Sequence, residues 1–222
     1  MTIQEIYEAF DQIGCLSFTT VNEFGEPESR IAHLRAYDEE GIYFMTMFTK
    51  EFYKHLKSNG NLSICGLCAD TKVEHGEDGM PIFDGGYAIR MTGKVKEIPM
   101  KVIQEKENPL FDFCIADQKQ YPAMVVFCIT SGRGDIFDYD FEKIARENKL
   151  ERIYFSYNGG VIKEKGLYIN QEQCIHCGIC KTKCSFLAIE EAHGVYTINP
   201  NRCDECGDCF VNCPKGVITY EK

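Results

Sequence analysis

The sequence has no excess of positive charge, no long apolar run and no glycine-rich dinucleotide fingerprint, and each absence closes a class of function. Its 34 acidic residues against 24 basic ones leave a net charge of −10. A nucleic-acid partner needs a basic face for its phosphates, so none is expected. No apolar stretch reaches the length of a membrane-spanning helix, so no membrane partner is expected either. The first residues, Met1-Thr2-Ile3-Gln4-Glu5, lack the basic segment and apolar run of a secretory signal, which makes a soluble, cytoplasmic protein the expectation. No Gly-x-Gly-x-x-Gly follows a strand, which disfavours direct NADH oxidation through that motif. No Ser-His-Asp or paired-carboxylate arrangement is recognisable, so hydrolysis has no support and no catalytic residue is assigned.

Cysteine, by contrast, is abundant: 13 residues, 8 of them in the last fifty positions. They fall into two runs, Cys174, Cys177, Cys180, Cys184 and Cys203, Cys206, Cys209, Cys213, the second followed by Pro214 and the first by Ser185. Each run reads Cys-x2-Cys-x2-Cys-x3-Cys. Three thiolates two residues apart can wrap a tight loop around three corners of an iron–sulfur cube, and the fourth corner must come from elsewhere. The unit is duplicated, since Cys174 recurs as Cys203, 29 positions on, Ile169-Asn170 as Ile198-Asn199, and Ala188-Ile189 as Val217-Ile218. Structural zinc is the alternative, although its thiolate ligands usually come as two separated pairs. A disulfide framework conflicts with a reducing compartment. The spacing is that of a bacterial two-cluster ferredoxin, in which each run's fourth cysteine ligates the other cluster. That resemblance implies two [4Fe-4S] clusters, one on Cys174, Cys177, Cys180 and Cys213, the other on Cys203, Cys206, Cys209 and Cys184. Oxygen-sensitive clusters of this kind point to an anaerobic host.

Along the chain, Thr2 and Glu5 form a capping box ahead of apolar residues at helical spacing, so a helix opens the chain. Short strands are predicted over 15–21, 29–37, 42–47, 61–68, 87–98, 124–130 and 134–139, with helices over 50–57, 100–107 and 141–150. A polar stretch over 70–86 reads as a long exposed loop of the kind that is commonly functional. Strands outnumber helices, which suggests a small β-barrel decorated by helices over 1–140, a connecting segment over 141–165, and a cluster-binding domain over 166–222. The five remaining cysteines, Cys15, Cys65, Cys68, Cys114 and Cys128, are expected to be reduced and buried. Cys65 and Cys68, three apart in a strand, face opposite sides and carry no redox expectation. His33 is expected to be structural and His55 exposed, and neither His75 nor His176 is expected to act as a ligand.

The front of the chain also carries a resemblance. Ser29-Arg30-Ile31-Ala32-His33-Leu34-Arg35, then Ile42 to Lys50, then Tyr53-Lys54-His55-Leu56-Lys57, are similar to the pyridoxamine 5'-phosphate oxidase-like family of split-barrel flavoproteins. The fold class this implies is a mainly β split barrel with flanking helices, joined here to a small α+β two-cluster ferredoxin-like domain. The resemblance also implies a homodimer with FMN at the subunit interface. Arg30, Arg35, Thr46 and Lys50 match the family's flavin-phosphate positions, Thr49 lies beside them, and Arg90 matches a strand position that can face the cofactor. A dianionic phosphate favours such converging cationic and hydroxyl donors at a helix start. The long 70–86 loop and the appended clusters depart from the simple oxidase, so oxidation of that vitamin is not expected.

Clusters move single electrons and a flavin passes one or two, so the combination implies an FMN-dependent reductase. An external donor, a ferredoxin or a dehydrogenase, would supply it, and a small organic acceptor would be reduced near the 70–86 loop: an activated double bond, a nitro group or a quinone. The competing readings are an electron carrier or redox sensor without its own substrate, and a barrel that holds haem or deazaflavin.

Overall fold

In the computed structural model, residues 1–69, 74–75, 77, 81–82, 86–138, 152–163 and 166–220 are described. Two compact units form. The first takes in Met1–Thr71, Gly86–Ile136 and Tyr154–Ile162, and the second Lys72–Gly85, Phe137–Ile153 and Lys163–Lys222.

The first unit opens with α1 (Ile3–Asp11), capped as the sequence predicts: Thr2 Oγ1 accepts from the Glu5 amide and the Glu5 carboxylate accepts from the Thr2 amide. Then come β1 (Leu16–Val21), β2 (Pro27–Ala32), β3 (Leu34–Asp38), β4 (Gly41–Met47), α2 (Glu51–Asn59) and β5 (Asn61–Ala69). The segment expected as one strand over 29–37 is thus two, broken at His33, and the pairing of β3 with β4 slips between Leu34 and Ala36. The bulge turns Leu34 into one apolar cluster and Ala36 into another. Within the predicted 70–86 loop, short strands β6 (Glu74–His75) and β7 (Pro81–Ile82), which belong to the second unit, pair with each other, and residues 70–73, 76, 78–80 and 83–85 lie outside the described residues.

The chain continues through β8 (Gly86–Ile98), α3 (Met100–Gln104), a 3-10 turn over Pro109–Phe111, α4 (Asp112–Gln120), β9 (Met124–Asp138) and β10 (Ile153–Tyr157). The main sheet runs β2-β1-β5-β8-β9-β4-β3, with β10 also on β9. Pro27, which cannot donate to a ladder, sits on β2 at the end of that order. Inward residues of nearly every strand, among them Phe18, Phe44, Ile64, Met91, Phe127 and Phe155, meet α1 and α2 in one core. The outward face of β4 and β9 (Tyr43, Met45, Val126, Cys128) is covered by Ile103, Phe111 and Cys114, which leaves β4 buried on both sides.

Two sequence expectations are corrected here, and one element was not foreseen. The strands predicted over 124–130 and 134–139 are one, because Gly132 and Gly134 carry β9 past Tyr157, Phe155 and the Arg90 carbonyl where a Cβ would not fit. Ile153–Tyr157, read as connector, is a strand of the barrel sheet. α4 was not predicted, for it buries only Cys114 and has almost no apolar face. The helix predicted over 141–150 lies outside the described residues.

The second unit repeats itself. β11 (Tyr168–Ile169) pairs with β14 (Ile218–Thr219), and β12 (Ile189–Ala192) with β13 (Val195–Ile198), while α5 (Ile179–Lys183) and α6 (Asp208–Val211) follow the cysteine loops. The repeat of 29 holds in the backbone: left-handed residues fall at His176 and Glu205, at Gly178 and Gly207, and at Leu187 and Gly216. A split β-barrel and a small α+β ferredoxin-like unit are therefore the architecture of the chain.

Candidate functional site

The barrel residues predicted to hold a flavin phosphate do not all converge. Lys50 is the N-cap of α2, and both it and Thr49 are exposed at the end of β4. Arg30 reaches the same first turn of α2, its guanidinium 4.3 Å over the Phe52 ring, and Arg30 Nη1 donates to Thr20 Oγ1 at 3.0 Å. Thr46 has the parity of Phe44 and Ile42, so it faces inward and is buried. Arg35, displaced by the β3 bulge, lies on the other face, 4.5 Å over the Phe113 ring of α4. Arg90 is engaged by Asp135, with Arg90 Nε 3.0 Å from a carboxylate oxygen. Thr49 and Lys50 thus stand at the α2 start, where the amides of a helix's first turn favour an anion, and Arg30 lies against Phe52 of that turn while pairing with Glu28 at 3.4 Å. Arg35 and Arg90 stand apart from them.

Two histidines differ in fate. His33 Nδ1 donates to the Gly14 carbonyl at 2.9 Å, a structural role as expected. His55 is buried, not exposed, and its Nδ1 shares a hydrogen bond of 3.1 Å with Thr20 Oγ1. That hydroxyl can accept from Arg30 while donating to His55, which ties the guanidinium to α2. The signal was in the sequence, since Phe52, His55 and Leu56 share one helical face.

The five non-cluster cysteines are not uniformly buried. Cys114 and Cys128 are, and burial pushes their thiols up to about 11 and about 12. Cys15 and Cys65 are exposed and Cys68 half-buried. Alternation explains this, because Leu16 and Ile64 point inward and their neighbours must point out.

In the second unit, the eight remaining cysteines surround two hollows. The first, about 350 Å³ including space open to solvent, is lined by Cys174, Cys177, Cys180 and Cys213. The second, about 290 Å³ on the same measure, is lined by Cys203, Cys206, Cys209 and Cys184. Each run therefore supplies three sulfurs to one hollow and its fourth to the other. Residues 173–218 match the 4Fe-4S dicluster domain family.

Individual relatives and solved structures add to the comparison. An uncharacterized ferredoxin of Methanocaldococcus jannaschii is 35% identical over 77 residues, which is 34% of this chain and 42% of that protein. The chain spans less than half the length of the curated ferredoxins it matches. Among solved structures, a NimC/NimA family protein from Clostridium acetobutylicum aligns over 69% of this chain and 91% of its own, with 20% identity and a TM-score of 0.48. A Clostridium acetobutylicum protein related to general stress protein 26, of the pyridoxinephosphate oxidase family, aligns over 70% and 96%, with 13% identity and a TM-score of 0.43.

The dicluster hollows fit the group their family binds. Each hollow is lined by four cysteines and no histidine, three from one run at two-residue intervals and the fourth from the other run, which is the donor set a [4Fe-4S] cluster takes. Desolvation and the neighbouring sulfurs push the Cys209 thiol up to about 11, and burial also raises Cys180 and Cys206. Converging thiols of this kind ionise when a cationic centre stands among them. Peptide N–H groups are already turned to sulfur, Ala188 N 3.3 Å from Cys184 Sγ and Glu205 N 3.4 Å from Cys203 Sγ. The dicluster domain thus marks the chain as an iron–sulfur, electron-transfer type of protein.

Proposed function

We propose that the chain is an iron–sulfur flavoprotein oxidoreductase: two [4Fe-4S] clusters pass low-potential electrons to FMN, and from there to a small organic acceptor. The observation that carries this reading is the crossed cysteine arrangement, three sulfurs from one run and one from the other around each hollow, on the same chain as a split barrel. Cys174, Cys177, Cys180 and Cys213 would hold one cluster, and Cys203, Cys206, Cys209 and Cys184 the other. For the flavin phosphate, Lys50, Thr49 and Arg30 at the α2 start are the donors the geometry favours, with Thr46 lining the inside of β4 behind them.

FMN, when bound, supplies the exchange between one-electron and two-electron chemistry. Joining it to the clusters on one chain makes the transfer effectively intramolecular. Exposed Phe24, Ile31 and Phe48 on the barrel support a homodimer with the flavin at its interface. A diffusing ferredoxin or a dehydrogenase would serve as donor, in a cytoplasmic, anaerobic setting.

The test is anaerobic spectrophotometry of the reconstituted protein. Reduction by a low-potential ferredoxin should bleach the flavin band, and a nitroaromatic, a quinone or an activated alkene should restore it over many turnovers. Restoration by protein partners alone would show a carrier in place of an enzyme.

A further inference from the structure

The two cysteine loops are copies, and each leaves its second cysteine exposed, Cys177 in the first and Cys206 in the second. A centre held by either loop therefore lies just under the surface, within reach of a donor by distance alone. The side chains around the loops decide between them. From Gln173 to Ile189 the first repeat carries no acid and two lysines, Lys181 and Lys183, both exposed on α5. Lys215 belongs to the second repeat, but the crossing of the ligands carries it with Cys213 to the first hollow, which it lines. Its counterpart Phe186 lines the second. Between these cations stand Ile175 and Ile179, 53% and 37% exposed. Their counterparts 29 positions on are Asp204 and Asp208, so the second loop has no such apolar centre.

We propose that the first loop is the docking face for the external electron donor, and that this donor is a protein with an acidic surface around its own one-electron centre. It seats on Ile175 and Ile179 with its carboxylates facing Lys181, Lys183 and Lys215, and electrons enter at the centre on Cys174, Cys177, Cys180 and Cys213. The inference rests on the two-cluster, external-donor reading given above. The step moves one electron: the donor's centre is oxidised by one and the first-loop centre reduced by one, with no proton moved and no bond broken.

An apolar centre inside a polar rim is the anatomy of a protein interface. The isoleucines supply contact area, and the lysines supply register and association rate. The chain as a whole opposes this partner, because its net charge of −10 repels an acidic protein at long range. Salt screens that repulsion beyond about 10 Å at 0.1 M, whereas the lysines act at contact, so the local charge sets where the donor lands. Exposed Glu172 and Glu190 bound the acid-free stretch, and Glu190 is turned to Asn199 Nδ2 at 3.0 Å. At the second loop Arg152 stands 3.9 Å from Asp204 and moderates the charge there. The preference for the first loop therefore stands on its own lysines and isoleucines.

The experiment takes the anaerobic full-length protein, checked for iron, and an acidic bacterial two-cluster ferredoxin, reduced beforehand, as the donor. In stopped flow, Lys181→Glu with Lys183→Glu should slow cluster reduction by about tenfold. Lys101→Glu with Lys119→Glu, at exposed lysines of the barrel unit, changes the net charge equally and should slow it by less than about twofold. Reduced methyl viologen, a small cation, should reduce both variants at least as fast as the parent, since added acids attract it. Carbodiimide, which joins a carboxylate to an amine in contact with it, should link the ferredoxin to Lys181, Lys183 or Lys215, as mapped by mass spectrometry. Equal slowing in the two pairs of substitutions, or links confined to other lysines, would overturn the docking face. A parent protein that viologen reduces and the ferredoxin does not would overturn the acidic donor, leaving the clusters in place. A parent protein without iron would overturn the two-cluster reading itself.

Discussion

Arg30 is the barrel cation whose surroundings are most fully determined: it lies on an aromatic ring and shares a threonine hydroxyl with a buried histidine. A charge-assisted hydrogen bond contributes about 1.5–3 kcal/mol, and each 1.4 kcal/mol is about tenfold in affinity. Lys50→Ala should therefore weaken FMN binding by roughly ten- to a hundredfold in a flavin fluorescence titration. Arg90→Ala, at a residue already committed to Asp135, should change it by less than about twofold. Equal losses in the two variants would remove the α2 start as the phosphate site. The thiols make a second residue-scale case. Near pH 8, a small thiol reagent should modify Cys15 and Cys65 within minutes and leave Cys114 and Cys128 untouched until unfolding, as read by mass spectrometry. The sign follows from burial, which pushes the latter pair to about 11 and about 12, far above the working pH, so that no reactive thiolate forms. Period-2 alternation already contained the exposure of Cys15 and Cys65. The position of Arg35 was not legible, because a bulge between Leu34 and Ala36 has no marker in the residues that form it.

Among the elements, β9 has the tightest steric demands. A Cβ on Gly134 would collide with the Arg90 carbonyl and the Phe155 ring, so neither the strand nor its neighbour can yield cheaply. Gly134→Ala should cost the barrel about 1–3 kcal/mol in denaturant unfolding, and an unchanged midpoint would mean the strands have room to separate. From sequence, the Ser131-Gly132-Arg133-Gly134 stretch read as a break between strands, since glycine signals both a turn and a close approach and only the packed neighbours tell which. β10 was missed for a related reason: its core-facing residues, Phe155 and Tyr157, are flanked by polar segments, and its pairing with β9 is long-range. The helices α1 and α2 were legible because capping and the 3.6 period are local.

At the level of the whole molecule, the duplication was the most legible feature, since ligand spacing is a constraint written along the chain. The same offset of 29 that relates the cysteines relates the left-handed residues and the strand pairs. The crossed ligand sets predict that Cys184→Ala impairs the centre of the other run and leaves the Cys174 centre titrating normally. A cysteine lost from one run would otherwise damage its own run's centre. The account as a whole depends on inorganic electron carriers in one unit and an organic one in the other. The measurement that tests this most directly is the iron, sulfide, zinc and flavin content of anaerobically purified protein. About eight irons, eight sulfides and one FMN per chain are predicted; stoichiometric zinc without sulfide, or a barrel that retains no flavin, would contradict it.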